Sequence, residues 1–359
     1  MKKLFVLSCV ALATLASCSK SEDIEAPQAQ KEIAFSVATD KSRAPIEDAT
    51  FPTSLSMYVS AYNSVSKDYF KNVAFSYDQS GTKWKAGMYW PINGVTNFLA
   101  YAFNPAKGSQ TTVVIDENKA VWGDADANWA QQVTFDFGDK SLCYAPVAAG
   151  GSEVATTMTP YVDLLYASGE QAKEKDYNSV SMTFKHTGAW IVFKVKLKNA
   201  LLTNTSLTLN QFKLVKIHKG GKLTIDNSKY PGAQASWDFT NSPAADYAVE
   251  SFPQQNTTAI DNTKGLAVTQ TDFDDANTFG IIIPEQKQTA IEFKYTLAST
   301  ASPAAFAAQT ATYTYPLNNF GKWEMGKKYV YEITINFGEI TITPSVADWD
   351  TPNDTDVQI

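Results

Sequence analysis

Apolar and polar residues alternate with a period of two over segment after segment of this chain, and that restricts it to sheet. From Ile191, residues Phe193, Val195 and Leu197 fall on one face, while Val192, Lys194, Lys196 and Lys198 fall on the other. The same pattern sets Ile291, Phe293, Tyr295 and Leu297 against Glu292, Lys294 and Thr296. It also sets Tyr329, Tyr331, Ile333, Ile335 and Phe337 against Val330, Glu332, Thr334 and Asn336. Alternation of this kind marks half-buried strands with one wet face. No window of similar length carries a helical stripe, so the expectation is an all-β chain of antiparallel β-sandwiches with at most short helices in its loops. Segments 212–217 and 223–225, joined through Gly220 and Gly221, read as a hairpin, which leaves His218 on the surface beside the turn. A polar, turn-prone stretch at 169–178 divides the chain into expected domains at 31–175 and 176–359.

The inventory of reactive side chains is poor. Among 359 residues there are two His (His186 and His218) and three Cys (Cys9, Cys18 and Cys143), against eight Trp, 17 Tyr and 20 Phe. This argues against zinc chemistry and His-based hydrolysis. A formal charge of -7 with no Lys-rich block removes nucleic acid as a partner. There is no Gly-rich phosphate loop, nucleophile elbow or paired-His spacing. Asp124, Asp126 and Asn128 imitate the start of a calcium loop, but Trp129 stands where Gly is needed and Phe135 where a bidentate Glu belongs. Asp272, Asp274 and Asp275 read as a solvated acidic loop. No catalytic residue, metal site or cofactor is expected. Trp122 and Trp129 sit in a loop rich in Gly, Asp and Asn, where they either cover core or stack on host sugars.

The N-terminus reads as an address. Lys2 and Lys3 precede an apolar run over residues 4–15, shorter than the roughly 20 apolar residues that span a bilayer, so 1–17 read as a secretory signal. Its end, Leu15-Ala16-Ser17-Cys18, resembles the bacterial lipobox, in which Cys18 becomes a lipidated N-terminus. Residues 18–30, with Glu22, Asp23 and Glu25, read as an acidic tether. Once the signal is gone, only Cys143 accompanies Cys18, so no intrachain disulfide is expected, and Cys143 reads as a small buried residue.

Residues 32–39 alternate cleanly, with Ile33, Phe35 and Val37 on one side. A polar stretch containing Arg43 follows, and Arg43 is the only arginine in the chain. An arginine-specific protease therefore has one bond to cut, between Arg43 and Ala44. The plainer reading is a rare arginine in an ordinary surface loop.

Together these features resemble the fimbrillin family of Bacteroidales, the subunits of type V pili. The resemblance rests on the lipobox at Cys18, the strand at 32–39 with Arg43, Tyr89-Trp90-Pro91 followed by Asn97-Phe98-Leu99-Ala100-Tyr101, and the segment 180–186. It continues through Ile283-Pro284, the run from Trp323 to Tyr331, and a last strand with Val346 and Trp349. Glu285 departs from the pattern by separating Pro284 from Gln286, and reads as a loop detail. The family implies two transthyretin-like β-sandwich domains in tandem, export as an outer-membrane lipoprotein, and cleavage after Arg43 by an arginine-specific surface protease. Loss of the strand bearing Ile33, Phe35 and Val37 then opens a groove, which the chain end of another copy or another fimbrial subunit fills, giving a cell-surface fimbrium for adhesion to host glycans or proteins. The donor tail is expected at about 340–359, carrying Ile340, Ile342, Val346, Trp349, Val357 and Ile359, with Pro344 interrupting its ladder. The alternatives are a final strand docked permanently in its own domain, a membrane-anchored subunit that is never cut, and a glycan-binding surface lipoprotein.

Overall fold

The computed structural model describes residues 31–39, 51–65, 67–105, 120–122, 132–137, 162–171, 179–199, 203–227, 232–249, 266–268, 278–317, 320–336, 339–348 and 357–358. All regular structure among them is β. The strands begin with β1 (Phe35–Thr39), β2 (Met57–Asn63), β3 (Lys67–Asp78), β4 (Lys83–Lys85), β5 (Thr96–Pro105), β6 (Ala120–Trp122), β7 (Gln132–Asp136), β8 (Val162–Gln171) and β9 (Val180–His186). There follow β10 (Gly188–Leu197), β11 (Thr205–Ile217), β12 (Lys222–Asp226), β13 (Gln234–Asp238), β14 (Ala245–Val249), β15 (Leu266–Ala267), β16 (Thr278–Pro284) and β17 (Gln286–Lys287). The last are β18 (Ala290–Ser299), β19 (Gln309–Pro316), β20 (Lys322–Trp323), β21 (Lys327–Asn336), β22 (Glu339–Asp348) and β23 (Val357–Gln358).

The first strands close into a barrel of order β1-β4-β3-β2-β5-β8-β9. Its core holds Ile33, Phe35, Phe75, Phe98 and Phe184. The later strands form a sandwich, with β16-β10-β21-β22-β23 facing β14-β11-β18-β19. Phe193 of one sheet meets Phe212 of the other at 4.2 Å between ring centres. A smaller sheet, β13-β12-β7-β6, makes a third core. That third core explains the unbroken apolar run at 98–101. Phe98 and Ala100 face into the barrel, while Leu99 and Tyr101 face out, where Tyr101 meets Phe135 edge-on at 5.0 Å.

Several sequence expectations need correction. Two of the ladders are parallel, β1 on β9 and β10 on β21, because those strands are far enough apart in sequence to be joined by crossovers. Segments 212–217 and 223–225 do not pair with each other. β11 pairs with β14, β15 and β18, and β12 with β7 and β13. Leu214 and Ile217 belong to the sandwich core, and Leu223 and Ile225 to the third. The turn serves as a crossing between sheets. Gly221 has φ +142°, and a Cβ there would lie 2.8 Å from the Asp238 carbonyl oxygen, so close backbone approach requires glycine. His218 is consequently half-buried, stacked on Phe239 at 4.2 Å, with its Nδ1 2.5 Å from the Ser242 carbonyl. The hydrogen bonding also crosses the stretch at 169–178, since β9 completes the barrel and β12 joins β7. Val192 and Val330, expected on wet faces, are buried as register neighbours.

His186, at the end of β9, is buried with Nδ1 2.8 Å from Asp163 Oδ1, and Asp163 Oδ2 has no hydrogen-bond partner among the described residues. His186→Ala would leave a buried carboxylate without that contact. The expected cost of that lost buried hydrogen bond is about 1–3 kcal/mol, readable as a fall in the denaturation midpoint.

Candidate functional site

β1 is the strand that closes the barrel, and its two sides are held unequally. It pairs parallel with β9 along its whole length, from Phe35 opposite Val180 to Thr39 opposite Phe184. On the other side it meets β4 at one pair, Phe35 opposite Trp84. The preceding residues extend that weaker side. Ile33 N–H donates to the Met88 carbonyl at 2.6 Å, Trp90 N–H to the Lys31 carbonyl at 2.9 Å, and Gly87 N–H to Glu32 Oε1 at 2.9 Å.

Side chains anchor what this backbone frames. Ile33 and Phe35 are fully buried, and Val37 packs half-buried against the same cluster. The Phe35 ring meets Phe75 and Phe98 edge-on at 4.9 and 5.1 Å. The motif residue Trp90 packs on Phe98 at 5.7 Å, and Tyr89 bridges Glu32, so motifs distant in sequence converge on the seat of β1. Beside it, Lys85 Nζ lies 2.9 Å from Asp78 and 4.0 Å from Glu32. Hydrogen bonds from Lys85 and Ser80 hold the Asp78 carboxyl down to about 2. Their contribution is present above the ordinary carboxylate value and is lost as the pH falls through the lowered one.

Phe51 was not signalled by the sequence, because it stands outside any alternating run. It is buried in the same barrel core, stacked on Phe184 at 4.7 Å and edge-on to Trp84 at 5.5 Å. The bond between Arg43 and Ala44 thus lies in sequence between two core anchors, Phe35 and Phe51. Cys18, Arg43, Ala44, Trp129, Cys143, Trp349, Ile359 and the acidic loops at 124–128 and 272–275 lie outside the described residues. Trp122 ends β6, in register with Val133.

The chain end sits elsewhere. β22 pairs antiparallel with β21 from Asn336 opposite Glu339 to Lys327 opposite Asp348. Ile340 and Ile342 fill the sandwich core, with Val346 against it. Pro344 does not interrupt this ladder, contrary to expectation: it stands in register opposite Tyr331. On the far side of β22, Ser345 and Val346 are the residues paired among the described ones, with Gln358 and Val357 of β23, and a strand with little pairing on one side tolerates a missing N–H.

The run from Trp323 to Tyr331 fastens β21 behind the tail. Trp323 Nε1 donates to the Tyr331 hydroxyl at 2.8 Å, and that hydroxyl donates to Gln288 Oε1 at 2.9 Å. Burial pushes the Tyr329 hydroxyl up to about 12. Glu285 is more than a loop detail, since its carboxylate accepts from Lys322 Nζ at 2.7 Å and from Met325 N–H at 3.1 Å.

The fimbrillin-like family model matches residues 42–349. The chain belongs to the fimbrillin-like family. This fimbrillin-like chain is also similar to a solved fimbrial protein of Bacteroides vulgatus, at 14% identity and a TM-score of 0.55, over 89% of this chain and 99% of that one. That likeness bears on the fold. A proposed cell adhesion protein of Bacteroides uniformis aligns at 16% identity and a TM-score of 0.46, over 89% and 99% of the two chains. A fimbrial assembly protein of Parabacteroides distasonis aligns at 12% and 0.38, over 89% and 98%. No curated protein matches this fimbrillin-like chain in sequence.

Proposed function

We propose that this chain is a structural subunit of a cell-surface fimbrium, exported as a lipoprotein through Cys18, cut after Arg43 and polymerised by β-strand exchange. Family membership supports the fimbrial role. The observation that carries the exchange is that β1 closes the barrel while fastened to β4 by one register pair, yet Phe35 on it and Ile33 just before it sit at the centre of the core. Loss of β1 would expose β9 and β4 as edges beside an apolar trough. An incoming strand with matching alternation restores both the ladder and the burial, as in donor-strand complementation.

The donor in this reading is the end of the chain beyond Asp348, carrying Trp349, Val357 and Ile359. Ile340 and Ile342 stay in their home core, whereas β23 meets β22 at two register pairs among the described residues. The partners are other copies and other fimbrial subunits, an arginine-specific protease, and the outer membrane before cleavage.

Deleting residues 349–359 tests this. The shortened chain should fold, reach the surface and be cut, yet form no polymer that survives mild detergent on gels. Fibres of ordinary length would overturn the reading. N-terminal sequencing of wild-type fibres adds a second check: subunits beginning at Ala44 fit, and a retained lipidated Cys18 identifies an uncut anchor instead.

A further inference from the structure

Among the described residues β19 is an outer strand of the sandwich, eight residues long and largely exposed. β19 pairs on its inner side with β18 at every residue, from Pro316 opposite Ala290 to Gln309 opposite Leu297, with no register shift. On its outer side it has no strand partner among the described residues. Gln309, Thr310, Ala311, Thr312, Thr314 and Pro316 are exposed. Such an edge offers a row of free N–H and C=O groups to another chain, and proteins usually blunt it with charge, proline, bulges or brevity. β19 lacks these protections, apart from proline at its last position. No charged or His side chain occurs anywhere in residues 295–321. Two other outer strands do carry charge, Asp246 on β14, held by Lys213 at 3.1 Å, and Asp238 on β13, while the uncharged outer strand β16 has its Ile281, Ile282 and Ile283 buried rather than exposed.

We propose that β19 is a self-pairing edge through which two copies of this chain associate side by side, antiparallel across a two-fold axis. Two further observations select a second copy as the occupant. The chain is acidic overall, at -7, so copies repel except where their surfaces are neutral, and this edge is neutral. The sheet also already carries a row of threonines that such pairing would lengthen. Thr208 of β11 stands opposite Thr296 of β18, and Thr296 opposite Thr310 of β19, with hydroxyls 2.9 Å apart in the second pair. A two-fold axis at Thr312 sets Thr312 against its symmetry mate, Thr310 against Thr314, Ala311 against Tyr313 and Gln309 against Tyr315. Every pair is uncharged, and threonine pairs of this kind stabilise antiparallel sheets. The interface is isologous and closes as a dimer, so it links copies laterally and adds nothing to chain length along a fibre.

The test uses the chain without residues 1–17 and with β1 intact. The closed barrel then has no vacant seat, so the outcome does not depend on strand exchange. In sedimentation velocity the wild-type chain should self-associate as its concentration rises. Thr312→Lys, which puts like charges opposite each other at an exposed site, should weaken association by about tenfold or more with an unchanged circular dichroism spectrum. Thr312→Glu should behave alike, and equimolar mixing of the two variants should restore the dimer. A wild-type chain that stays monomeric overturns the proposal, as does a Lys variant that dimerises normally or a mixture no better than its parts.

Discussion

Arg43→Ala, expressed in the native host, should leave the surface bare of fibres built from this chain, with the full-length precursor folded and held at the membrane. The resident strand and the incoming donor compete for one seat. While residues 40–50 connect β1 to Phe51, the resident strand faces its groove at an effective concentration in the millimolar range. A donor arriving at micromolar concentration starts about 4 kcal/mol behind from concentration alone. It must also replace the burial of Ile33 and Phe35, each worth roughly 1.5–3 kcal/mol. Cutting between Arg43 and Ala44 removes the concentration advantage and leaves Phe51 in place to hold the new chain start in the core. Arg43→Lys separates specificity from charge: it keeps the cation and should still block assembly. The measurements are electron microscopy for fibres and N-terminal sequencing for the cut. Ordinary fibres on the Ala variant would remove proteolysis from the assembly route.

The parts of this picture that were legible in the sequence are those governed by local period. Phe35 on β1 with Ile33 just before it, and Ile291 and Phe293 on β18, announce an inward face because adjacent residues in extended chain point oppositely. Pairing between distant strands has no such local signal. Nothing near Ile191 specifies that β10 lies parallel to β21, and nothing near Val37 specifies Met182 as its register partner. The glycines at 220 and 221 were ambiguous for a related reason. A turn that returns a strand to its neighbour and a turn that passes the chain to another sheet both favour glycine. Which applies depends on whether Leu223 and Ile225 find their core beside β11 or beside β7. Glu285 and Phe51 act singly through distant partners, and single residues have no period.

Phe35→Ala is expected to destabilise the precursor and leave the fibre unchanged, a contrast that tests what becomes of β1. In the uncut chain Phe35 is fully buried between Phe75 and Phe98, so truncation loses the ring contacts and leaves a cavity. The usual cost of such a change is about 3–5 kcal/mol. That is a large share of the roughly 5–15 kcal/mol that holds a domain together, and it corresponds to a fall in melting temperature on the order of 10 °C. Val37→Ala, at the half-buried end of the same row, should cost less, because less apolar surface leaves water there. If β1 departs after cleavage, the assembled fibre contains neither residue. Its dissociation temperature should then match wild type for both variants, with only the yield reduced by loss of unstable precursor. A fibre weakened in step with the precursor would mean that β1 still occupies its seat, because a side chain affects the stability only of a structure that contains it. A precursor indifferent to Phe35→Ala would place that ring outside the core and leave an incoming strand no trough to fill.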